Sequence, residues 1–308
     1  MILVTGASGL LGASVVATAV RFGRDVVGLY NRHPVSLNGA HFIAADLRNR
    51  VAVEEAFEKF RPSAVIHCAA ETNVDWCQEH PEEARVMNVG ASRSIAEIAA
   101  RYGAYFLYVS TDAVFDGARG NYSETDPPAP ANLYAQTKLE GEEAVLAAYT
   151  DAAIARVTIY GWNVQSKQSL AEWIFEQLRS GNTVAGFTDV VFCPILANDL
   201  AEILLAMAER KLTGIFHVVG SEAVSKFEFA RRVAQAFEFD PAKVLPSQLA
   251  QAKLRAPRPR NISLNTGKIC AQLGRSMPDV DSGLRRFAQL RAEGYIERLR
   301  GEVMGVRE

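Results

Sequence analysis

The chain has 308 residues, a formal net charge of −2 and 49% hydrophobic residues. This is enough apolar material for one large α/β domain with a smaller lobe, and the near-neutral charge argues against nucleic acid or an anionic membrane as a partner. We expect no leader segment before the first predicted strand and no membrane span, because no apolar run is long enough to cross a bilayer. The four cysteines lie far apart without metal-ligand spacing. We therefore expect a reduced, cytoplasmic protein without a metal site.

The first twelve residues combine a short strand, a glycine-rich loop and the start of a helix. Residues 2–5 form an apolar, β-favouring run, and the loop Gly6-Ala7-Ser8-Gly9-Leu10-Leu11-Gly12 follows at once. Gly6 permits a tight turn, Gly9 lets a pyrophosphate approach the backbone, and Gly12 lets the helix pack closely on the sheet. The helix N-terminus then attracts the phosphates. This context favours a dinucleotide-binding loop over a glycine-rich turn without a ligand. The residues predicted to contact the cofactor here are Gly6, Ser8, Gly9, Leu10, Leu11 and Gly12.

Strand and helix signals alternate along the first half of the chain. The predicted strands cover residues 25–30, 41–45, 64–70, 105–109 and 152–158, and the predicted helices cover residues 54–60, 81–102 and 133–149. Such alternation predicts a doubly wound, parallel α/β sheet of the Rossmann type with right-handed crossovers.

Beyond residue 160 the pattern becomes looser. Helices are predicted at residues 169–179, 198–208, 225–237 and 282–300, a strand at 214–219, and a proline-punctuated loop at 246–259. We expect residues 1–160 to form the dinucleotide-binding domain. Residues 161–308 would form a smaller C-terminal α/β substrate lobe packed on it.

Reactive side chains follow the fifth predicted strand. Thr111 stands at its carboxyl end, where ligands of open α/β sheets bind. Tyr134 and Lys138 begin the next helix and share one of its faces. A phenol is a poor acid at neutral pH unless a cation stabilises the phenolate, and Lys138 could supply that cation while holding a nicotinamide ribose. The pattern favours hydride-transfer chemistry, with Tyr134 as proton donor and Thr111 hydrogen-bonded to the substrate oxygen, over an exposed helix start.

The end of the second strand bears on the choice of cofactor. The sequence Tyr30-Asn31-Arg32-His33 contains no acidic residue to accept hydrogen bonds from a ribose 2′-hydroxyl. The planar guanidinium of Arg32 suits a 2′-phosphate, although an exposed loop arginine is the alternative interpretation. We therefore predict contacts from Asn31 and Arg32 and favour NADP, with NAD as the alternative.

Taken together, the glycine loop, the strand-ending Ser-Thr-Asp and the Tyr-x-x-x-Lys pair resemble the extended short-chain dehydrogenase/reductase family. Within it, three stretches are similar to the dTDP-4-dehydrorhamnose reductases. They are residues 69–75 (Ala-Ala-Glu-Thr-Asn-Val-Asp), residues 110–117 (Ser-Thr-Asp-Ala-Val-Phe-Asp-Gly), and Arg258-Pro259 with Leu264-Asn265-Thr266. The same motifs also resemble the β regulatory subunit of methionine adenosyltransferase, whose main role is to bind a partner enzyme.

This resemblance implies site residues and an activity. The catalytic residues it implies are Thr111, Tyr134 and Lys138. The further cofactor contacts are Asp46, Leu47, Cys68, Ala69 and Ala70, together with Tyr134 and Lys138 themselves. The substrate-side residues are Thr72, Val74, Asp75, Asp112 and Arg258, of which Arg258 would lie near the sugar nucleotide's phosphates unless it is a solvated loop charge. The implied activity is NADPH-dependent reduction of a nucleotide-linked 4-keto-6-deoxy sugar. A sugar-nucleotide epimerase or dehydratase of the same family and a non-catalytic nucleotide-binding regulatory subunit are the alternatives.

Two positions depart from the reductase pattern. Ala113 replaces an aromatic residue, and Ile159 replaces a tryptophan. Both positions touch the substrate in the family, so the resemblance leaves the sugar open. A homodimer is a further expectation. Among the other polar residues, His67 is predicted to be packed in the sheet, and Glu142 with Glu143 is predicted to be a solvated helix face.

Overall fold

The computed structural model describes residues 1–252 and 254–304. Its strands are β1 (Ile2–Thr5), β2 (Val26–Tyr30), β3 (His41–Ala44), β4 (Ala64–His67), β5 (Tyr105–Thr111), β6 (Ala153–Val157), β7 (Ile159–Tyr160), β8 (Val184–Phe187), β9 (Val191–Phe192), β10 (Ile195–Leu196), β11 (Gly214–His217), β12 (Val224–Ser225) and β13 (Val244–Ser247). Its α-helices are α1 (Leu10–Arg21), α2 (Arg50–Phe60), α3 (Val74–Glu79), α4 (Pro81–Arg85), α5 (Ser92–Tyr102), α6 (Leu133–Ala148), α7 (Leu170–Arg179), α8 (Ala197–Glu209), α9 (Lys226–Ala236), α10 (Gly267–Leu273), α11 (Val280–Ala292) and α12 (Tyr295–Met304). Short 3₁₀ helices cover Asp112–Val114, Pro241–Lys243 and Leu249–Gln251.

A seven-stranded parallel sheet forms the centre of the fold. Its strand order is β11-β6-β5-β4-β1-β2-β3. The direction of winding reverses between β1 and β4, which pair in parallel from Ile2 with Ala64 to Thr5 with His67. In a doubly wound sheet the crevice outside the carboxyl ends at this reversal is the place where ligands bind. The sheet confirms the predicted Rossmann-type class.

Helices cover both faces of this sheet. Neighbouring residues of one strand point to opposite faces, so Leu3 and Val4 enter different apolar clusters. Val4 packs in the cluster that contains Val15 of α1 and Leu204 of α8. Leu3 packs in the cluster that contains Ile95 of α5. This three-layer arrangement buries both faces, as parallel sheets require.

The C-terminal segments build a smaller apolar cluster around Trp162, Phe175, Phe229 and Phe287. The strand pairs β8–β13 and β9–β12 belong to this part of the chain. The domain boundary at residue 160 stays a prediction. Two elements beyond that residue belong to the main sheet and its helical layer. β11 pairs with β6, and α8 packs against α1 on one face of the sheet.

The structure contains elements that were not predicted, such as α3, β8 and α10, and three predicted segments differ from it in detail. The helix predicted at 81–102 contains a π-helical turn at Val86–Ala91 between α4 and α5. The helix predicted at 282–300 is divided into α11 and α12 at Gly294, whose φ of +66° ends the first helix. The loop predicted at 246–259 contributes Pro246 to β13, and the edge of a two-stranded pair tolerates proline. In the described part of the chain, no helix has the length and apolar character needed to cross a membrane.

Candidate active site

A cleft of about 660 Å³ opens at the carboxyl ends of the central strands. The predicted residues that line it are Gly6, Ser8, Gly9, Leu10, Leu11, Gly12, Asn31, Arg32, Leu47, Cys68, Ala69, Ala70, Thr72, Thr111, Asp112, Tyr134 and Lys138. Four predicted residues, Asp46, Val74, Asp75 and Arg258, are not part of this lining. The fold therefore brings the glycine loop and the Thr-Tyr-Lys group to one cavity, while the individual roles remain predictions.

The glycine loop forms a tight cradle at the start of α1. Gly6 has a φ of +64°, and its carbonyl oxygen accepts a hydrogen bond from the Gly9 amide at 2.8 Å. A Cβ atom at Gly12 would lie 2.1 Å from the Gly6 oxygen, so only glycine fits there. No side chain caps the helix at Gly9, and its first turn has no acidic residue. The amides at the helix start can therefore bind an anion, which fits the pyrophosphate of a dinucleotide.

Tyr134 and Lys138 are positioned by the first two turns of α6. The helix begins after Asn132, whose side chain accepts a hydrogen bond from the Ala135 amide at 2.9 Å. Lys138 is only 2% exposed, and its Nζ donates to the Val109 carbonyl at 2.8 Å. Burial lowers the pKa of Lys138 to about 7. An ammonium group has three N–H donors, so two remain for a ribose or the phenol.

Thr111 lies between the Tyr134 phenol and the buried Asp112 carboxyl. Its Oγ1 donates to Oδ1 of Asp112 at 3.2 Å and accepts a hydrogen bond from the Ala113 amide. Burial raises the pKa of the Tyr134 phenol, and its hydrogen bond with Thr111 acts in the opposite direction. Burial also raises the pKa of Asp112 to about 6. The phenol therefore stays protonated at neutral pH, as a proton donor must.

A buried ion pair beneath Lys138 was not predicted. Glu142 accepts two hydrogen bonds from Nε of Arg156 and one from its Nη2, at 2.7 Å, and another from the Ser110 hydroxyl. The Glu142 and Arg156 side chains are each 2% exposed, so the prediction of a solvated Glu142 is wrong, although Glu143 is exposed. Glu142 follows Lys138 by four residues on one helical face and opposes the lowering of the Lys138 pKa. The four-residue spacing of Lys138 and Glu142 is the sequence signal from which their proximity could have been predicted.

Of the predicted substrate-side residues, Asp75 and Arg258 bind each other outside the cleft lining. Arg258 Nη2 donates to Oδ1 of Asp75 at 3.1 Å, and the same oxygen accepts the Ala256 amide at 3.1 Å. The Pro257 carbonyl accepts a hydrogen bond from the Asn132 side chain at 3.0 Å. These contacts attach the proline-rich loop to the start of α6, close to Tyr134. Val74 begins α3 in the same region.

At the other end of the cleft, Arg32 is exposed on the rim. Among the described residues its guanidinium makes no hydrogen bond or ion pair, so it can bind a ligand phosphate. The Asp46 carboxylate instead binds Arg48, through Nη2 at 2.5 Å, and these hydrogen bonds lower the pKa of Asp46. Leu47, the residue after Asp46, lines the cleft.

The Arg32→Ser variant is expected to bind NADPH about 10- to 100-fold more weakly while NADH binding changes little, because a charge-assisted phosphate contact is lost. Dissociation constants from fluorescence titration with both cofactors check this. The matched control is Arg48→Ser, which removes an exposed arginine that forms an ion pair with Asp46. An equal loss of affinity for NADPH and NADH would contradict a 2′-phosphate contact.

The doubly wound sheet, the glycine cradle and the Thr-Tyr-Lys cleft define an NAD(P)-dependent oxidoreductase of the Rossmann type. The family model described as RmlD substrate-binding domain matches residues 1–292. The chain belongs to this family.

Three known proteins illustrate the similarity. The chain is 33% identical over 285 residues to a probable low-salt glycan biosynthesis reductase from Haloferax volcanii, covering 91% of this chain and 95% of that protein. It is 34% identical over 279 residues to methionine adenosyltransferase 2 subunit beta from Danio rerio, covering 87% of this chain and 83% of that protein. A dTDP-4-dehydrorhamnose reductase from Bacillus anthracis, solved in complex with NADP, superposes with a TM-score of 0.81 at 26% identity, covering 93% of this chain and 97% of that one.

Proposed function

We propose that this protein is an NADPH-dependent reductase of a nucleotide-linked 4-keto-6-deoxy sugar. The observation that carries the proposal is the presence of Thr111, Tyr134 and Lys138 in the same cleft as the glycine cradle. The similarity to a glycan biosynthesis reductase and to an NADP-bound dTDP-4-dehydrorhamnose reductase supports the substrate class and the cofactor. The exposed guanidinium of Arg32 on the rim supports NADP over NAD.

Each side chain has a distinct part in this reaction. When bound, the dinucleotide supplies the hydride that reduces the sugar carbonyl. Tyr134 donates its proton to the carbonyl oxygen, which becomes a hydroxyl, and the Thr111 hydroxyl holds that oxygen in place. Lys138 lies one helical turn from Tyr134, and the Val109 carbonyl holds its ammonium in place. The positive charge of that ammonium stabilises the resulting phenolate. Asp112, which borders Thr111 in the cleft, binds the sugar.

The direct test mixes the purified protein with NADPH and dTDP-4-keto-6-deoxy sugars and follows the absorbance of the reduced nicotinamide. We expect one NADPH to be oxidised for each sugar reduced. An epimerase or dehydratase would instead convert the sugar without net oxidation of NADPH. Absence of sugar-dependent oxidation with every sugar tested would contradict the reductase proposal.

A nucleotide-binding regulatory subunit is the second candidate. The 34% identity to methionine adenosyltransferase 2 subunit beta favours it, and the Tyr134–Lys138 pair is compatible with both functions. Size-exclusion chromatography with a methionine adenosyltransferase catalytic subunit separates the candidates, since only the regulatory function requires a stable complex. The same experiment with the chain alone tests the predicted homodimer.

A further inference from the structure

Lys226, the first residue of α9, was not among the predicted site residues. Its backbone amide donates to the Val190 carbonyl at 2.9 Å. The preceding residue, Ser225, is the N-cap of α9, and its side chain accepts the Glu228 amide at 3.0 Å. The lysine side chain is half-buried. Its position is therefore fixed by the start of α9 and by the residue that precedes β9.

Backbone hydrogen bonds join the start of α9 to two loops on the substrate side. The Arg260 carbonyl of the proline-rich loop accepts the Val191 amide at 2.7 Å, and the residue before Val191 holds Lys226. The next residue of that loop, Asn261, donates its amide to the Gly117 carbonyl at 3.1 Å. A Cβ atom at Gly117 would lie 2.7 Å from the Arg260 nitrogen, so these loops are in direct contact. Lys226, the proline-rich loop and the loop that follows Asp112 are thereby held together.

The ammonium group of Lys226 interacts with charged groups from both of these loops. Burial lowers the pKa of Lys226, whereas the negative charge of Asp112 raises it and the positive charge of Arg258 lowers it again. Among the described residues the ammonium forms no hydrogen bond or ion pair, whereas Arg258 is bound to Asp75. Asp112 lines the cleft, and Lys226 and Arg258 lie outside its lining. Lys226 is therefore an unpaired cation beside the predicted substrate-side residues.

Two buried polar atoms of the cleft lining also have no hydrogen-bond partner among the described residues. They are Oδ2 of Asp112 and Oγ1 of Thr158. Buried polar groups in native proteins are nearly always hydrogen-bonded, so these two atoms indicate a polar ligand. A sugar hydroxyl can donate to the carboxylate and accept from the threonine hydroxyl. Both atoms therefore fit the sugar of a sugar nucleotide, and Lys226 lies near that sugar because its charge acts on Asp112.

We infer that Lys226 binds the phosphate nearest the sugar in the sugar nucleotide. The diphosphate carries the only negative charges of the proposed substrate, and a half-buried ammonium without a partner is best satisfied by an anion. With the sugar at Asp112 and Arg258 on the side of the proline-rich loop, the phosphate attached to the sugar is the anionic group closest to Lys226. This inference rests on the proposed function, since it takes a nucleotide-linked sugar as the substrate.

The test compares the binding of dTDP and dTMP, and of UDP and UMP, by calorimetry in the presence of saturating NADPH. Only the diphosphates carry the phosphate to which the sugar is attached. Lys226→Met and Lys226→Gln should bind the diphosphate of the preferred base about 10- to 100-fold more weakly, the loss expected for a charge-assisted hydrogen bond. Their affinity for the monophosphate should be unchanged. Lys226→Arg, which keeps the charge, should retain most of the affinity for the diphosphate, and Lys59→Met, at an exposed lysine on α2, should retain all of it.

The outcomes separate this inference from the proposed function. If the parent protein binds none of the four nucleotides, both are wrong. If the parent reduces the sugar nucleotide and Lys226→Met binds the diphosphate as the parent does, only the contact with Lys226 is wrong. An equal loss for diphosphate and monophosphate would also overturn the contact, because the lysine would then act on another part of the nucleotide. A higher KM for the sugar nucleotide with unchanged binding of the diphosphate would show that Lys226 acts on the sugar through Asp112 instead.

Discussion

The Tyr134→Phe variant is expected to reduce the sugar nucleotide about 10²- to 10⁴-fold more slowly, the usual contribution of a positioned general acid. The substitution removes only the hydroxyl oxygen, so the ring keeps its packing at the start of α6. The dissociation constant for NADPH should stay unchanged, because the glycine cradle and Lys138 remain in place. Steady-state kinetics with the sugar nucleotide, together with a cofactor titration, measure both quantities.

The matched control is Tyr149→Phe, at the C-terminal end of the same helix and away from the cleft lining. It should keep the parent rate. If Tyr134→Phe reduces the substrate as fast as the parent, the proton comes from another group. If Tyr134→Phe instead loses NADPH binding, the phenol positions the cofactor and its loss of activity says nothing about proton transfer.

The second large effect is expected on stability. Glu142→Gln replaces a carboxylate that accepts hydrogen bonds from both Arg156 and Ser110, and it leaves the Arg156 guanidinium charged and uncompensated inside the fold. Breaking a buried ion pair by changing one partner costs about 3–5 kcal/mol of unfolding free energy. Equilibrium unfolding in urea should show a lower midpoint with an unchanged slope.

Glu143→Gln is the control, since the neighbouring carboxylate is exposed and its replacement should leave the midpoint unchanged. A double variant, Glu142→Leu with Arg156→Met, should recover most of the lost stability, because it removes both buried charges at similar volume. A Glu142→Gln midpoint equal to that of the parent would contradict the buried ion pair.

Much of the fold was predictable because its signals are local. The Gly6-x-x-Gly9-x-x-Gly12 spacing following an apolar strand leaves few alternatives to a βα turn, and the structure has that turn with the required positive φ at Gly6. Tyr134 and Lys138 share a helical face by spacing alone. Because parallel strands end at one edge of the sheet, the sequence alone predicts that Thr111 lies near them.

Some elements could not be delimited in this way. The break between α11 and α12 occurs at Gly294, one glycine within a charged helical pattern that otherwise continues. β13 includes Pro246, and its pairing with β8 depends on a partner some sixty residues away in the chain. Short pairings of this kind have little local signal, since distant contacts stabilise them.

By itself, the sequence determined the Rossmann class, the glycine cradle, and the shared helical face of Tyr134 and Lys138, because each depends on residues close together in the chain. Only the tertiary structure decided that Glu142 is buried against Arg156, that Asp75 binds Arg258, and that Lys167 donates a hydrogen bond to Thr72. The physical reason is the same in each case. An acidic or basic side chain has the same sequence signature whether it is solvated or paired, and only the folded chain brings its partner within hydrogen-bonding distance.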